Sequence, residues 1–289
     1  MRPFPPCEGA EHAYVVTPEG LRMHVASMGP ADGPVVVLLH GWPEHWWLWH
    51  EVMGPLSAAG YRVLAPDLRG FGWSEITAGG YDKEQFATDV LGLLDALGVD
   101  AFDLVGHDWG GWTAQLMAIR APQRVRRLAL LNIPHVWQAP GDVGRHLHRL
   151  YYQPLVGAPG LGPLVQRSPA LWWIMRSAGL PKASVAEFRA ALRAPGRAVA
   201  GSKVYRTFLA REMPAIARGR YETARISAPV RVLFGLDDVA IDVSMLDRFE
   251  DHADDVRITT VPDCGHFIVD EQPARVTSWL LDEVLAESV

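Results

Sequence analysis

The sequence predicts an α/β chain: a mostly parallel central sheet with helices on both faces and an inserted helical lid. Three observations predict it. Short strand-like runs alternate with helical stripes over residues 1–133, and such alternation builds parallel sheets covered on both faces. Over 134–221 no buried-strand run occurs, and helical spacing is broken by Pro and Gly clusters. Alternation then resumes over 222–289. The expected organisation is a core of 1–133 and 222–289 with a helical cap of 134–221. A chain of 289 residues, 49% of them hydrophobic, is long enough for one sizeable core carrying an insertion.

Residues 12–16 and 21–26 flank Thr17-Pro18-Glu19-Gly20 and read as a β-hairpin. The run 35–39 is wholly apolar, as a strand buried on both faces requires. A helix over 48–59 closes at Gly60, and a strand over 61–65 follows. Phe86, Val90, Leu93, Leu94 and Leu97 make one helical stripe, which Gly98 stops. Strands over 101–105 and 125–131 bracket a helix over 112–121. In the cap, helical spacing covers 143–152, 170–178, 184–192 and 203–211. Beyond it come a strand over 230–234, a helix over 243–250, a strand over 256–261 and a last helix ending near 285.

The chemistry concentrates at Val105-Gly106-His107-Asp108-Trp109-Gly110-Gly111, between a strand and a helix. Small residues two before and two and three after Asp108 mark a sharp elbow that exposes a nucleophile. Where such elbows usually carry Ser, this one carries Asp. The expected intermediate is therefore an ester of the enzyme's own carboxylate, formed by attack on an alkyl carbon. Cleaving that ester needs a base, an acid to orient it, and donors for the oxyanion. His266 follows the last strand, in the chain order nucleophile, acid, base, and is the expected base. The preceding strand ends at Asp237-Asp238, one of which should orient it. The backbone N–H groups of Trp42 and Trp109 are the expected oxyanion donors, and the Trp109 indole should face substrate. His40-Gly41-Trp42, Asp67 and Asp108 all follow strands, so they should share the carboxyl end of the sheet, where ligands of such sheets bind.

The net charge of −6 gives no footprint for nucleic acid or anionic membrane. Two cysteines make no disulfide framework, and no secretory leader or bilayer-length apolar run is visible, so a reducing, cytoplasmic setting is expected. His40, His45 and His50 are spaced by five and share no helix face, so no metal is expected. No cofactor is expected either, because Gly106 to Gly111 serve the elbow rather than a phosphate loop. A homodimer is compatible with this composition. Eleven tryptophans, several in the cap, suit a wide aromatic-lined pocket.

These residues carry a family resemblance. The chain resembles an α/β-hydrolase of the epoxide hydrolase branch over nearly its whole length outside the cap. His40-Gly41-Trp42-Pro43-Glu44 resembles that branch's oxyanion turn. The loop from Asp67 to Ser74 resembles its Asp-x-Arg-Gly-aromatic-Gly-x-Ser loop. Gly106-His107-Asp108-Trp109-Gly110-Gly111 is similar to its elbow, and Gly265-His266-Phe267 to its base turn. Gly235-Leu236-Asp237-Asp238 matches Gly-x-x-Asp, which implies Asp238 as the orienting acid.

The resemblance further implies cap acids that hydrogen-bond the epoxide oxygen. Val204-Tyr205-Arg206 resembles the second tyrosine's motif, implying Tyr205. The first acid precedes an aromatic-aromatic-Gln tract by three residues. Here that tract is Tyr151-Tyr152-Gln153, which implies His148, with a slipped alignment to Tyr152 or Tyr151 as the alternative. The implied activity is hydrolysis of a small-molecule epoxide by water to a vicinal diol. Glu44 would hold a water or tune His266, or serve only the turn. A haloalkane dehalogenase would share Asp108 but commonly has Asn in place of Trp42 and no use for Tyr205. A third reading is a hydrolase fold reused as a small-molecule receptor.

Overall fold

A computed structural model of the chain describes residues 2–138, 140–146 and 148–286. Its centre is an eight-stranded sheet: β1 (Glu11–Val16), β2 (Arg22–Met28), β3 (Val35–Leu39), β4 (Arg62–Pro66), β5 (Phe102–His107), β6 (Val125–Leu131), β7 (Val230–Gly235) and β8 (Val256–Val261). Their spatial order is β1-β2-β4-β3-β5-β6-β7-β8. The β1–β2 and β2–β4 pairs are antiparallel, and every later pair is parallel. Central strands β3 and β5 are buried along their whole length, as strands covered on both faces must be.

Helices α1 (His50–Ala58), α2 (Lys83–Ala96) and α3 (Trp109–Arg120) connect the first strands. In α2, Phe86, Val90, Leu93 and Leu94 are buried, and the Asp82 side chain caps the first turn by accepting from the Gln85 N–H. Between β6 and β7 run α4 (Pro140–His146), α5 (Tyr152–Gly157), α6 (Leu161–Arg167), α7 (Pro169–Ser177), α8 (Lys182–Arg193), α9 (Arg197–Thr207) and α10 (Met213–Ile216). A π-helical turn at Phe208–Glu212 joins α9 to α10. After β8 come α11 (Ile268–Glu271) and α12 (Pro273–Trp279).

Two expected helices differ. The single helix over 143–152 is broken: α4 ends at His146, and α5 starts only at Tyr152. The helix over 243–250 is two short 3₁₀ turns, Val243–Leu246 and Phe249–Asp251, because Asp242 turns its carboxylate back onto the Ser244 N–H and Arg248 adopts φ 66°.

The helices between β6 and β7 are tied over the carboxyl end of the sheet by buried polar contacts. The Trp42 indole donates to Gln166 Oε1 (2.9 Å), and Gln166 Nε2 donates in turn to the Ala198 carbonyl (2.8 Å) and Ser202 Oγ (2.7 Å). Lys83 Nζ meets Glu212 Oε2 at 2.6 Å with the lysine wholly buried. Arg149 donates to the Asp238 carbonyl at 2.6 Å. Breaking the Lys83–Glu212 pair would strand one ion in a poor solvent, so it holds the two regions in one register.

Candidate active site

Asp108 stands where β5 turns into α3, at φ 49° and ψ −128°. A non-glycine residue held there is strained and persists only because its surroundings leave no alternative. The neighbouring glycines supply that constraint. A Cβ on Gly106 would lie 2.6 Å from the Gly110 carbonyl oxygen, and one on Gly110 would lie 2.3 Å from that of Leu39. The elbow thus packs backbone against backbone and lifts Asp108 off the sheet.

One carboxylate oxygen of Asp108, Oδ1, accepts the Trp42 N–H at 2.8 Å. The approach is close: a Cβ on Gly41 would meet Asp108 Oδ1 at 2.3 Å. The other oxygen, Oδ2, lies 3.6 Å from His266 Nε2. On its far side, His266 Nδ1 meets Asp238 Oδ2 at 2.8 Å. Asp238 is held by Asn132 Nδ2 on Oδ2 (2.8 Å) and by the N–H groups of Ala240 (2.7 Å) and Ile241 (2.9 Å) on Oδ1. Burial alone would raise the Asp238 pKa, but His266 and these donors outweigh it and hold it below the usual carboxylate range. Burial likewise opposes charge on His266, yet Asp238 and Asp108 together hold its pKa well above the ordinary value.

His107 lies beneath this set. It donates from Nε2 to the His266 carbonyl (2.8 Å), and its Nδ1 meets Glu44 Oε2 at 3.0 Å. Two acceptors on one ring call for a proton on each nitrogen. Burial works against that charge, but Glu44 outweighs it and the His107 pKa is raised. Glu44 Oε2 also takes the Gly41 N–H at 2.9 Å, while buried Oε1 has no partner. The pair therefore braces both the Trp42 turn and the His266 loop.

Above Asp108 stand two phenols. Tyr205 is 1% exposed, and its ring lies 5.0 Å from Trp42, 5.5 Å from Trp109 and 5.8 Å from Tyr152. Enclosure, and then the negative charge of Asp108, push the Tyr152 pKa up; burial, Tyr152 and Asp108 do the same for Tyr205. Both hydroxyls thus keep their protons as hydrogen-bond donors. His148 is not brought here. It lies exposed in the turn between α4 and α5, and Tyr151 is 70% exposed. The helix break turns both outward and sends Tyr152 inward.

A cavity of about 60 Å³ opens at Asp108, Trp109 and Tyr152, walled by apolar side chains including Trp112, Phe208 and Met245. A larger groove of about 660 Å³, lined by Arg2, Arg22, Arg193 and Arg197, includes no residue of the Asp108–His266–Asp238 set. No trio of His, Cys, Asp or Glu among the described residues is grouped to hold a metal ion, and no helix among them is long and apolar enough to cross a membrane.

Reading the residues alone missed Asn132 and undervalued His107. Asn132 directly follows β6 with φ 41°, uncommon for any residue but glycine and most tolerated by Asn and Asp; its position beyond a strand's carboxyl end was the available signal.

Comparison with known proteins agrees with this geometry. The family model described as the alpha/beta hydrolase fold matches residues 34–273. The AB hydrolase superfamily protein YfhM of Bacillus subtilis (strain 168) is 30% identical, over 95% of this chain and 98% of its own. The soluble epoxide hydrolase of Corynebacterium sp. (strain C12) is 30% identical, over 89% and 91%. The solved structure of the epoxide hydrolase CorEH without ligand superposes with a TM-score of 0.82 at 28% identity, covering 94% of this chain and 97% of that one. With an aspartate elbow, an eight-stranded sheet of this order and relatives matching end to end, the chain belongs to the α/β-hydrolase superfamily, in its epoxide hydrolase branch.

Proposed function

We propose that this hydrolase opens epoxides to vicinal diols through a covalent ester on Asp108. The observation that carries the reading is the division of labour between the two Asp108 oxygens. Oδ1 is held by the Trp42 N–H, which leaves Oδ2 to attack a ring carbon. As the C–O bond breaks, Tyr205 and Tyr152 donate hydrogen bonds to the developing alkoxide, and one of them protonates it. Helices of the 134–221 cap supply both phenols and shield the reaction from solvent.

Alkylation also changes the charge around His266. While Asp108 is a carboxylate, its charge helps hold His266 protonated. Once it is an ester, that charge is gone and the His266 pKa falls, so the ring gives up its proton to the tyrosinate left by ring opening and is free to act as a base. His266, oriented by Asp238, then takes a proton from water, which attacks the ester carbonyl carbon. The oxyanion forms on Oδ1, where the Trp42 N–H already sits and the Trp109 N–H is the second donor. Glu44 Oε1, a buried acceptor with no partner, suits a hold on that water.

The dehalogenase reading has one observation in its favour: the Trp109 indole N–H is buried and unpartnered, as a halide donor would be. Against it, the Trp42 indole is committed to Gln166 and the Trp42 position carries no Asn to serve as the second donor. Parallel assays on styrene oxide and a bromoalkane test the choice. Diol without bromide supports the epoxide reading, bromide without diol supports dehalogenation, and neither product favours a receptor. In His266→Gln the ester should persist as the mass of one added substrate. An intact protein that turns over epoxide in the wild type yet never gains this mass in the variant would overturn the covalent mechanism.

A further inference from the structure

The apolar cavity at Asp108 carries two buried amides whose oxygens have no partner. Gln138 and Gln153 both line it, and Oε1 of each is unsatisfied. The Gln138 amide is fixed in orientation. Its Nε2 donates to the Met245 carbonyl at 2.8 Å, the His135 carbonyl at 3.1 Å and His135 Nδ1 at 3.2 Å. That ring nitrogen is an acceptor, since it also takes the Trp137 N–H (3.2 Å) while His135 Nε2 donates to the Asp247 carbonyl (3.0 Å). Flipping the amide would set its oxygen against two carbonyls and a ring lone pair. Oε1 is therefore held away from these groups, with Gln138 only 6% exposed. A buried, unpartnered acceptor is costly, and one fixed in a ligand-cavity wall is what a site needs to recognise a donor on its ligand.

We propose that Gln138 is a specificity-determining residue that accepts a hydrogen bond from a hydroxyl on the otherwise apolar tail of the epoxide, with Gln153 offering a second acceptor. The inference rests on the epoxide hydrolase reading and narrows its substrate class to hydroxylated epoxides. Beyond Asp108 and Tyr152 at the reacting end, the rest of the wall offers apolar surface (Ile133, Phe208, Met245 among it) and the unpartnered indole N–H groups of Trp109 and Trp112, which are donors and not acceptors. A substrate hydroxyl would satisfy the Gln138 oxygen, whereas an ether at the same place would bury a second acceptor against it.

The test is a chain-length series of 1,2-epoxyalkanes ending in a free hydroxyl, each paired with its methyl ether. At the length that reaches Gln138, kcat/KM for the alcohol should exceed that for the ether by about tenfold to a hundredfold. In Gln138→Met the preference for the alcohol should be lost or reversed in favour of the ether, because an added methylene in an apolar pocket is itself worth about tenfold or more. The wild-type series decides even if that variant folds poorly. Turnover of the whole series without a preference at any length would overturn this inference alone. A preference that survives both Gln138→Met and Gln153→Met would overturn it as well. Failure to turn over any epoxide, styrene oxide included, would overturn the hydrolase reading and this inference together.

Discussion

Among the described residues, the buried pairs Asp67–His24 and Asp238–His266 share one geometry and differ in what the histidine has left over. Asp67 lies in the loop after β4, with Oδ2 2.7 Å from His24 Nδ1. Asp238 lies after β7, with Oδ2 2.8 Å from His266 Nδ1. Both carboxylates are almost wholly buried, and both are held below their usual pKa against the pull of burial. The far nitrogen of each histidine separates them. His24 Nε2 lies 3.1 Å from His12 Nδ1 inside an aromatic stack with Phe4. His266 Nε2 faces Asp108 across 3.6 Å, beside a cavity. A saturated pair serves as scaffold; a pair with one nitrogen left facing a cavity is a candidate site. Residue type and burial do not distinguish the two, but a count of unspent donors and acceptors does.

The sharpest break of this comparison is Asp108→Ala. Turnover should fall by about 10⁴-fold or more while thermal unfolding stays cooperative, because this carboxylate is the nucleophile of the proposed mechanism. Steady-state kinetics together with calorimetry check it. The mirror experiment is Asp67→Asn. Asp67 also accepts the Trp46 N–H (2.9 Å) and the Trp73 N–H (2.7 Å), and an amide would turn donors onto donors. Denaturant unfolding should show a loss of about 3 kcal/mol or more, with kcat per folded molecule nearly unchanged.

A smaller effect separates the cap residues. Tyr152→Phe should cost about 10²-fold in kcat/KM on an epoxide that wild type turns over, whereas His148→Ala should leave it within about twofold. The reverse ranking would return the role to His148.

The smallest effect concerns a third buried acid. Asp270 has one partner, Ser184 Oγ at 2.5 Å, and its Oδ2 has none. Burial, and then Glu44, push its pKa up to about 8. An unfolded aspartate titrates near about 4. Between these values the folded chain keeps a proton that the unfolded chain has released, so stability falls as pH rises through that window and levels off above it. Asp270→Asn should flatten this slope and raise Tm at pH 8 by about 3 °C, with little change at pH 5. Melting curves at the two pH values check it.

Legibility followed the range of the interactions involved. The strands and the elbow could be read because their signals are local: apolar runs, and small residues flanking Asp108. His266 could be placed by chain order and Asp238 by resemblance, and the structure brings both to Asp108. Tyr152 could not be told from His148, because a break of a few residues between α4 and α5 decides which side chain turns inward, and helical spacing runs straight through that break. Asn132 was silent, because its value lies in bonds to the Gly235 N–H and to Asp238, over a hundred positions away.

By itself, then, the sequence determined the sheet, the aspartate at its elbow and the end of the sheet where the candidate site lies, since backbone sterics and apolar periodicity act between near neighbours. Tertiary structure alone decided which oxygen of Asp108 is free, which phenols overhang it and which buried acceptors stay unpaired. Those depend on distances of about 3 Å between segments far apart in the chain, and hydrogen bonds are made or lost within a few tenths of an ångström.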